Sequence, residues 1–291
     1  MHGFTDIHSH GAGGYSFSDP ISDHILRAID THRSHGTTTQ IASLVTEPLD
    51  LLKQQIKSLI PFVESGDLAG IHLEGPYLSS VKCGAHDPKL LRLPVADEIR
   101  ELLEVGEGHI RMVTIAPELP GALDAISYLR SHGVTVALGH TDASEAVAIE
   151  AINRGATVIT HMFNALPELN HREGTITNAI LNNKEIYFEL ILDGVHVNHS
   201  AVQLLLDLAP DRIILITDAM SAAGGPEGRY KIGDLDVDVR DGVATLVSNG
   251  SLAGSTLTMD AAYNRLINEF HVSQEVAQNA AITLGKKALG L

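Results

Sequence analysis

Residues 3–11 read GFTDIHSHG, a short apolar run that ends in two histidines separated by one serine. Side chains alternate between the two faces of a strand, so His8 and His10 lie on the same face. Two imidazoles on one face can hold one divalent ion together. Either histidine alone is explained equally well as a hydrogen-bonded residue at a strand end, so the pair gains meaning only if other strands end in the same way.

Further apolar or β-branched runs follow, separated by stretches with helical periodicity, which is the pattern of repeated βα units. With the first run they predict eight strands, at residues 4–8, 37–45, 68–73, 110–116, 134–139, 156–161, 186–192 and 212–217. Two of the helices are expected at 120–132 and 143–154, the second capped by Asp142 or Ser144. Eight such units favour a closed (β/α)₈ TIM-type barrel of the α/β class over a doubly wound open sheet.

Two segments interrupt this alternation. Residues 74–96 form a long connection containing glycine and proline, and long connections without regular structure are usually functional or disordered. Residues 229–247 alternate with a period of two around Asp241-Gly242, which predicts a β-hairpin inserted after the eighth strand.

Length and composition narrow the functional classes. The 291 residues suit one barrel, so a single domain over residues 1–291 is expected. The net charge of -16 repels phosphate backbones and argues against a nucleic-acid partner. One cysteine, Cys83, forms no intrachain disulfide, and neither a leader nor a membrane-length apolar run is evident. Together these features predict a cytoplasmic protein without a membrane partner.

Metal-competent side chains follow the predicted strands one after another. They are His8, His10, His72, Glu74, His140, His161 and Asp218. The carboxyl ends of barrel strands meet at one mouth, so the fold would bring these residues together from distant positions. Their coincidence predicts a divalent-metal site there.

Several motifs occur in a fixed order between residues 3 and 259. They are GFTDIHSHG, HLEGPYL with KCGAHDP, GHTDAS, THMFNAL, DGVHV, ITDAM and SLAGSTLTM. In this order they resemble the amidohydrolase superfamily and, within it, the N-acetylglucosamine-6-phosphate deacetylases. The resemblance implies a metal-dependent hydrolase that converts N-acetylglucosamine-6-phosphate into glucosamine-6-phosphate and acetate, and it implies a homodimer.

The resemblance also implies a ligand set. Glu74, His140 and His161 would hold the principal ion, and His8 with His10 a second ion, because some members have this pair and others lack it. Zn²⁺ is expected, with Fe²⁺ or Mn²⁺ as alternatives, at one or two ions per chain. Some amidohydrolases use a carboxylated lysine from the fourth strand, but residues 114–118 here read TIAPE. Glu74 is therefore expected to be the shared carboxylate.

Catalytic roles follow from the same chemistry. A divalent ion makes the water that it coordinates more acidic and polarises an amide carbonyl. Asp218 can take the proton of that water and return it to the departing amine, although an N-cap ahead of Ala219 is the alternative. His86 resembles the family histidine near the acyl group, which implies a role in polarising the carbonyl.

Other matches concern the sugar phosphate. The resemblance implies that the substrate is lined by Ala85, His86, Asn164, Ala165, Leu252, Ala253 and Gly254. Arg172 and His196 match positions that contact the phosphate, His196 across a dimer interface. A solvated loop arginine is the alternative for Arg172.

One feature departs from the family, whose members have a small β-sandwich built from segments that flank the barrel. This sequence begins at MHGFTDIHSHG and ends at KKALGL, so the sandwich is expected to be missing. Three other functions are compatible with parts of the pattern. An amidohydrolase for N-acyl amino acids or cyclic amides would share the ligands without needing Arg172 and His196. A barrel without turnover would not need Asp218, and a phosphosugar isomerase barrel would not need the histidines.

Overall fold

The computed structural model describes residues 3–291, and its centre is a parallel eight-stranded sheet. In sheet order the strands are β1 (Phe4–Asp6), β4 (Thr37–Leu44), β5 (Gly70–Glu74), β6 (Ile110–Ile115), β7 (Thr135–Leu138), β8 (Val158–Ile159), β9 (Tyr187–Ile191) and β10 (Ile213–Ile216). Each coincides with one of the eight predicted strands, and no strand end differs from its prediction by more than two residues. The (β/α)₈ barrel is confirmed.

The barrel closes where the first and last strands have just ended. The main-chain N–H of Asp218 donates to the carbonyl of His8 at 2.8 Å, and that of His10 donates to the carbonyl of Ala219 at 2.7 Å. These bonds continue β1 and β10 beyond their regular parts. Closure of the barrel therefore fixes the backbone of three predicted site residues, His8, His10 and Asp218.

The helices surround the sheet and bury its outer face. They are α1 (Ser22–Ser34), α2 (Leu49–Glu64), α3 (Ala96–Val105), α4 (Ala122–Ser131), α5 (Glu145–Asn153), α6 (Ile176–Asn182), α7 (His199–Leu208), α8 (Met259–Phe270), α9 (Gln274–Gln278) and α10 (Leu284–Leu289), with a π-helical turn at Asn279–Thr283. All four residues of β10 are fully buried, as expected for a parallel strand covered on both faces. Of the two predicted caps of α5, Ser144 is the one that accepts from the main chain of Val147.

The insertion after the eighth strand has three strands, one more than the predicted hairpin. It is an antiparallel sheet of β11 (Gly228–Ile232), β12 (Leu235–Arg240) and β13 (Val243–Leu246). Asp241 and Gly242 form the expected turn, both with positive φ. Gly233 and Asp234 form a second two-residue turn, which the uninterrupted alternation of 229–247 had concealed. One face of this sheet packs on Val45 and Met220 beside the barrel mouth.

The other irregular segments are short. A small hairpin, β2 (Gly11–Ala12) with β3 (Tyr15–Ser16), follows the HxH pair, and a 3₁₀ turn at Ser80–Lys82 lies in the long loop after β5. That loop is tied to the barrel, since Ser79 N–H donates to the His140 carbonyl at 2.9 Å. Within residues 3–291 the sheets are the barrel, the three-stranded insertion and the small β2–β3 hairpin. The family's β-sandwich is missing from the described residues, as expected. None of the helices described is both long and apolar enough to cross a membrane.

Candidate active site

Five barrel strands place the predicted ligands and the predicted acid/base residue Asp218 at the carboxyl-terminal mouth. His8 and His10 follow β1, and Glu74 is the last residue of β5. His140 and His161 lie two residues beyond the ends of β7 and β8. Asp218 occupies the same position after β10, and all six side chains are buried. The predicted convergence of these residues is therefore present in the fold.

Glu74 lies at the centre of the cluster. Its Oε1 is 3.1 Å from the Nε2 atoms of both His140 and His161. Its Oε2 is 3.2 Å from His10 Nε2, and Oε1 is 3.5 Å from His8 Nε2. Two triads suited to a metal ion, Glu74 with His140 and His161 and Glu74 with His8 and His10, thus share one carboxylate.

The hydrogen bonds of the outer ring nitrogens test whether these residues suit an ion. His140 Nδ1 donates to the carbonyl of Lys82 at 2.9 Å, and His161 Nδ1 donates to the carbonyl of Asn164 at 3.2 Å. A carbonyl only accepts, so each neutral ring has its proton on Nδ1 and a bare lone pair on Nε2. The two Nε2 atoms are 3.0 Å apart, a distance at which facing lone pairs repel unless a cation lies between them. The donor set therefore fits a divalent transition ion.

Electrostatics favour positive charge at the second triad. Burial lowers the pKa of His10, but its hydrogen bonds to Asp218 and Glu74 outweigh burial and raise that pKa to about 9. At His140 burial prevails and lowers the pKa to about 4, which keeps the ring neutral as a ligand must be. Glu74 and Asp218, with Asp218 Oδ1 3.3 Å from His10 Nε2, make this a site for cations.

The main chain at several of these positions is in the left-handed region. The φ angles are +46° at His140, +28° at His161, +52° at Ala165 and +47° at Asp218. Such conformations cost about 1–3 kcal/mol for ordinary residues and persist where the surrounding structure enforces them. Their concentration at one mouth marks it as the functional end of the barrel.

A cavity of about 150 Å³ opens above the ligands. Its walls include His10, Val45, Glu74, Gly84, Ala85, His86, His140, His161, Asn164, Ala165, His196, Asp218, Ile232, Leu252 and Gly254. Most of the predicted substrate-lining residues are among them. His8 and Ala253 are fully buried and do not line the cavity. Arg172 does not line it and is exposed on a loop, where its Nε contacts His171 Nε2 at 3.1 Å.

Two histidines of the cavity wall, His86 and His196, lie outside the triads, and hydrogen bonds orient both of them. Thr46 N–H donates to His86 Nδ1 at 3.3 Å, so the proton of the neutral ring lies on Nε2, which is 3.6 Å from Glu74 Oε2. His196 Nδ1 donates to Asp193 Oδ2 at 2.6 Å. His86 therefore presents an N–H donor to the space beside the ligands.

Several residues of the site were missed by sequence reasoning, among them Glu189, Glu118 and Ile232. Glu189, the central residue of β9, accepts from His8 Nδ1 at 2.9 Å. Glu118 accepts the N–H of Asp142 at 2.8 Å and so braces the loop after His140. Ile232 comes from the insertion and completes the cavity wall. For Glu189 a signal existed, since a single carboxylate in the apolar run IYFELIL has to find a buried partner.

The chain is similar to known proteins in sequence and in structure, and no family model matches it. An N-acetylgalactosamine-6-phosphate deacetylase from Escherichia coli is 36% identical over 99% of the chain and 77% of its own length. An N-acetylglucosamine-6-phosphate deacetylase from Vibrio furnissii is 34% identical over 100% of the chain and 74% of its length. The structure of the Mycobacterium smegmatis N-acetyl-D-glucosamine-6-phosphate deacetylase, as a mutant in complex with N-acetyl-D-glucosamine-6-phosphate, matches with a TM-score of 0.97 and 42% identity, covering 100% of this chain and 78% of that one.

A (β/α)₈ barrel whose mouth holds imidazoles around a shared carboxylate defines a metal-dependent hydrolase of the amidohydrolase type. The relatives narrow this class, because they resemble the chain along nearly all of its length. The chain belongs to the N-acetylglucosamine-6-phosphate deacetylase family.

Proposed function

We propose that this protein hydrolyses the acetamide of N-acetylglucosamine-6-phosphate, releasing acetate and glucosamine-6-phosphate. The observation that carries the proposal is the pair of triads around Glu74 with Asp218 beside them, at the floor of a cavity in a chain of this family. The cavity lies at the carboxyl ends of the strands, where (β/α)₈ enzymes place their chemistry. We propose residues 1–291 as one catalytic domain.

Glu74, His140 and His161 are proposed to hold the principal ion, and His8 with His10 a second. When bound, a divalent ion lowers the pKa of a coordinated water and polarises the acyl oxygen. Zn²⁺ suits a set dominated by imidazole and carboxylate, and Fe²⁺ and Mn²⁺ are the alternatives.

Asp218 is proposed as the general base and acid. Its Oδ1 lies within 3.5 Å of both His8 Nε2 and His10 Nε2, so it faces the same space as the ligands. It takes a proton from the attacking water as the carbon–oxygen bond forms. It then gives that proton to the amine nitrogen as the carbon–nitrogen bond breaks, which leaves acetate and a free amine.

His86 is proposed to polarise the acyl group. Because its Nδ1 accepts from Thr46, its Nε2–H is available to a carbonyl oxygen on which negative charge develops. Only the orientation of this side chain is required, since Nε2 stays protonated throughout.

The sugar is proposed to lie against Ala85, Asn164, Ala165, Leu252, Ala253 and Gly254, with Ala253 acting through its backbone. His196 and Arg172 are the proposed phosphate ligands. His196 already lines the cavity, whereas Arg172 requires an approach of its exposed loop or a contribution in a homodimer. The proposed cellular site is the cytoplasm, because the charge of a sugar phosphate confines it to the compartment in which it is made.

The test measures acetate released by metal-free protein supplied with Zn²⁺, Fe²⁺ or Mn²⁺. Three substrates are compared: N-acetylglucosamine-6-phosphate, its galacto epimer and unphosphorylated N-acetylglucosamine. We expect the highest kcat/KM for N-acetylglucosamine-6-phosphate, and no acetate release without added metal. The epimer is included because one relative is named for it. A preference for the epimer would overturn the sugar assignment, and a preference for the unphosphorylated sugar or an N-acyl amino acid would overturn the deacetylase proposal.

A further inference from the structure

Glu189 is a fully buried carboxylate in a strand that is otherwise apolar. Burying such a group is costly unless it is paired and hydrogen-bonded. Its Oε2 accepts from His8 Nδ1 at 2.9 Å and from the main-chain N–H of His161 at 3.2 Å. No lysine or arginine within residues 3–291 forms an ion pair with it, and Oε1 has no hydrogen-bond partner. Among the described residues, the only ionisable side chain that Glu189 contacts is therefore His8.

This contact determines how His8 presents itself. A carboxylate only accepts, so His8 Nδ1 carries a proton, and in the neutral ring that a metal ion requires the Nε2 lone pair faces Glu74 Oε1 and Asp218 Oδ1, both at 3.5 Å. A carboxylate behind an imidazole also makes the opposite nitrogen a stronger ligand. The arrangement is a carboxylate–histidine pair directed at the shared space of the second triad.

The other histidines of the cluster lack this support. His140 and His161 donate their Nδ1 protons to neutral main-chain carbonyls. His10 Nδ1 has no partner among the described residues. Only His8 has a carboxylate behind its ring, so Glu189 supports a ligand ring of the second triad, whereas it reaches the first triad only through the main chain of His161.

We infer that Glu189 is the positioning residue that enables His8 and His10 to hold a metal ion, and that it therefore sets whether the chain binds one ion or two. This inference rests on the proposed function only in placing metal ions at these histidines. Glu189 is fully buried and does not line the cavity, so it acts through the ring of His8.

Two substitutions separate orientation from charge. Glu189→Gln keeps the size and an oxygen that can accept from His8, but it removes the charge. Glu189→Leu removes both and leaves an apolar side chain that suits the strand. Loss of such a contact typically weakens metal binding about 10- to 100-fold, so we expect the smaller loss for glutamine and the larger for leucine.

Metal-free protein is titrated with Zn²⁺ by calorimetry and with Co²⁺ by visible absorption, with elemental analysis giving the stoichiometry. We expect two ions in the wild type. In Glu189→Gln, whose side-chain oxygen can still accept from the His161 N–H, the first binding event should be unchanged and the second weakened. In Glu189→Leu the second binding event should be weakened far more than the first. Glu47→Gln is the matched control, because Glu47 is also buried at this end of the barrel but contacts none of the ligands. It should bind both ions as the wild type does.

The inference is overturned by a second ion that both variants bind with wild-type affinity, or by a wild type that binds only one ion. If Glu189→Leu does not fold, Glu189→Gln decides alone. A purely structural role would lower the melting temperature of the metal-free protein and weaken both binding events alike, which also contradicts the inference. Acetate release with only the tight position filled tests the proposed function separately, so failure of one leaves the other standing.

Discussion

Replacing Asp218 by asparagine tests the proposed proton transfers with the least disturbance of the fold. The amide has the same shape but cannot accept the proton of the attacking water. Loss of a positioned acid/base group lowers the rate by about 10²–10⁴-fold, or roughly 3–5 kcal/mol in the activation barrier. We therefore expect kcat to fall by that factor for N-acetylglucosamine-6-phosphate.

The backbone at this position explains why asparagine is the right substitution. Asp218 has a φ of +47°, a conformation that asparagine adopts readily and alanine does not. The bonds that fix this segment, from Asp218 N–H to the His8 carbonyl and from Ser255 N–H to the Asp218 carbonyl, are main-chain bonds and survive the change. An effect on kcat can then be assigned to the side chain.

The assay follows acetate release at saturating substrate, with metal content and thermal melting measured on the same sample. Asp241→Asn is the matched control, because Asp241 has a φ of +51° in the exposed turn of the insertion. That variant should keep wild-type kcat. If folded, metal-loaded Asp218→Asn also keeps wild-type kcat, Asp218 is not the base and its side chain has a structural role.

Three other predictions concern metal, phosphate and pH. His161→Asn, which tolerates the φ of +28° at this position, should lose the tightly bound ion in elemental analysis, because it removes one of two Nε2 atoms at 3.1 Å from Glu74 Oε1; wild-type metal content would contradict the ligand assignment. Arg172→Ala should lower kcat/KM for the phosphorylated sugar about 10- to 150-fold, the value of a charged hydrogen bond, and leave activity on unphosphorylated N-acetylglucosamine unchanged; equal losses would mean a structural role. Burial lowers the pKa of His32 from 6.5 to about 4, so its contribution to stability is complete above pH 6.5 and falls as the pH drops toward 4. Between pH 7.5 and pH 5, His32 should lower the free energy of unfolding of the wild type by about 2 kcal/mol. His32→Gln should lack this part of the loss in urea unfolding of metal-free protein. An unchanged pH dependence would show that His32 does not titrate in this way.

The strands were predictable because barrel strands are covered on both faces and appear as apolar runs. The ends of the strands were harder to predict, because the pairing of β1 with β10 continues beyond the regular strands through His8 and Asp218. The insertion showed the limit of periodicity. An alternation of period two is the same for two strands and three, and only the turn at Gly233-Asp234 distinguishes them.

The ligands were predictable for a different reason. A (β/α)₈ barrel converts sequence order into convergence at one mouth, so histidines that follow successive strands meet there. Partners behind the ligands are not ordered in this way. Glu189 is 181 residues from His8 along the chain, and it faces inward at the middle of its strand and not at the end. The outer hydrogen bonds of His140 and His161, which decide where their protons lie, run to loop carbonyls that no residue type reveals.

Charge alone does not determine how many ions the site holds. With the histidines neutral, the buried carboxylates of Glu74, Asp218 and Glu189 provide three negative charges. One divalent ion leaves the cluster with one net negative charge and two leave it with one net positive charge, so both occupancies are equally far from neutrality. What distinguishes the two positions is how firmly their ligands are oriented. His140 and His161 are each fixed by a loop carbonyl, whereas the second position depends on the single bond from His8 to Glu189. Occupancy of that position should therefore respond to substitution of Glu189 far more than to salt or to surface charge.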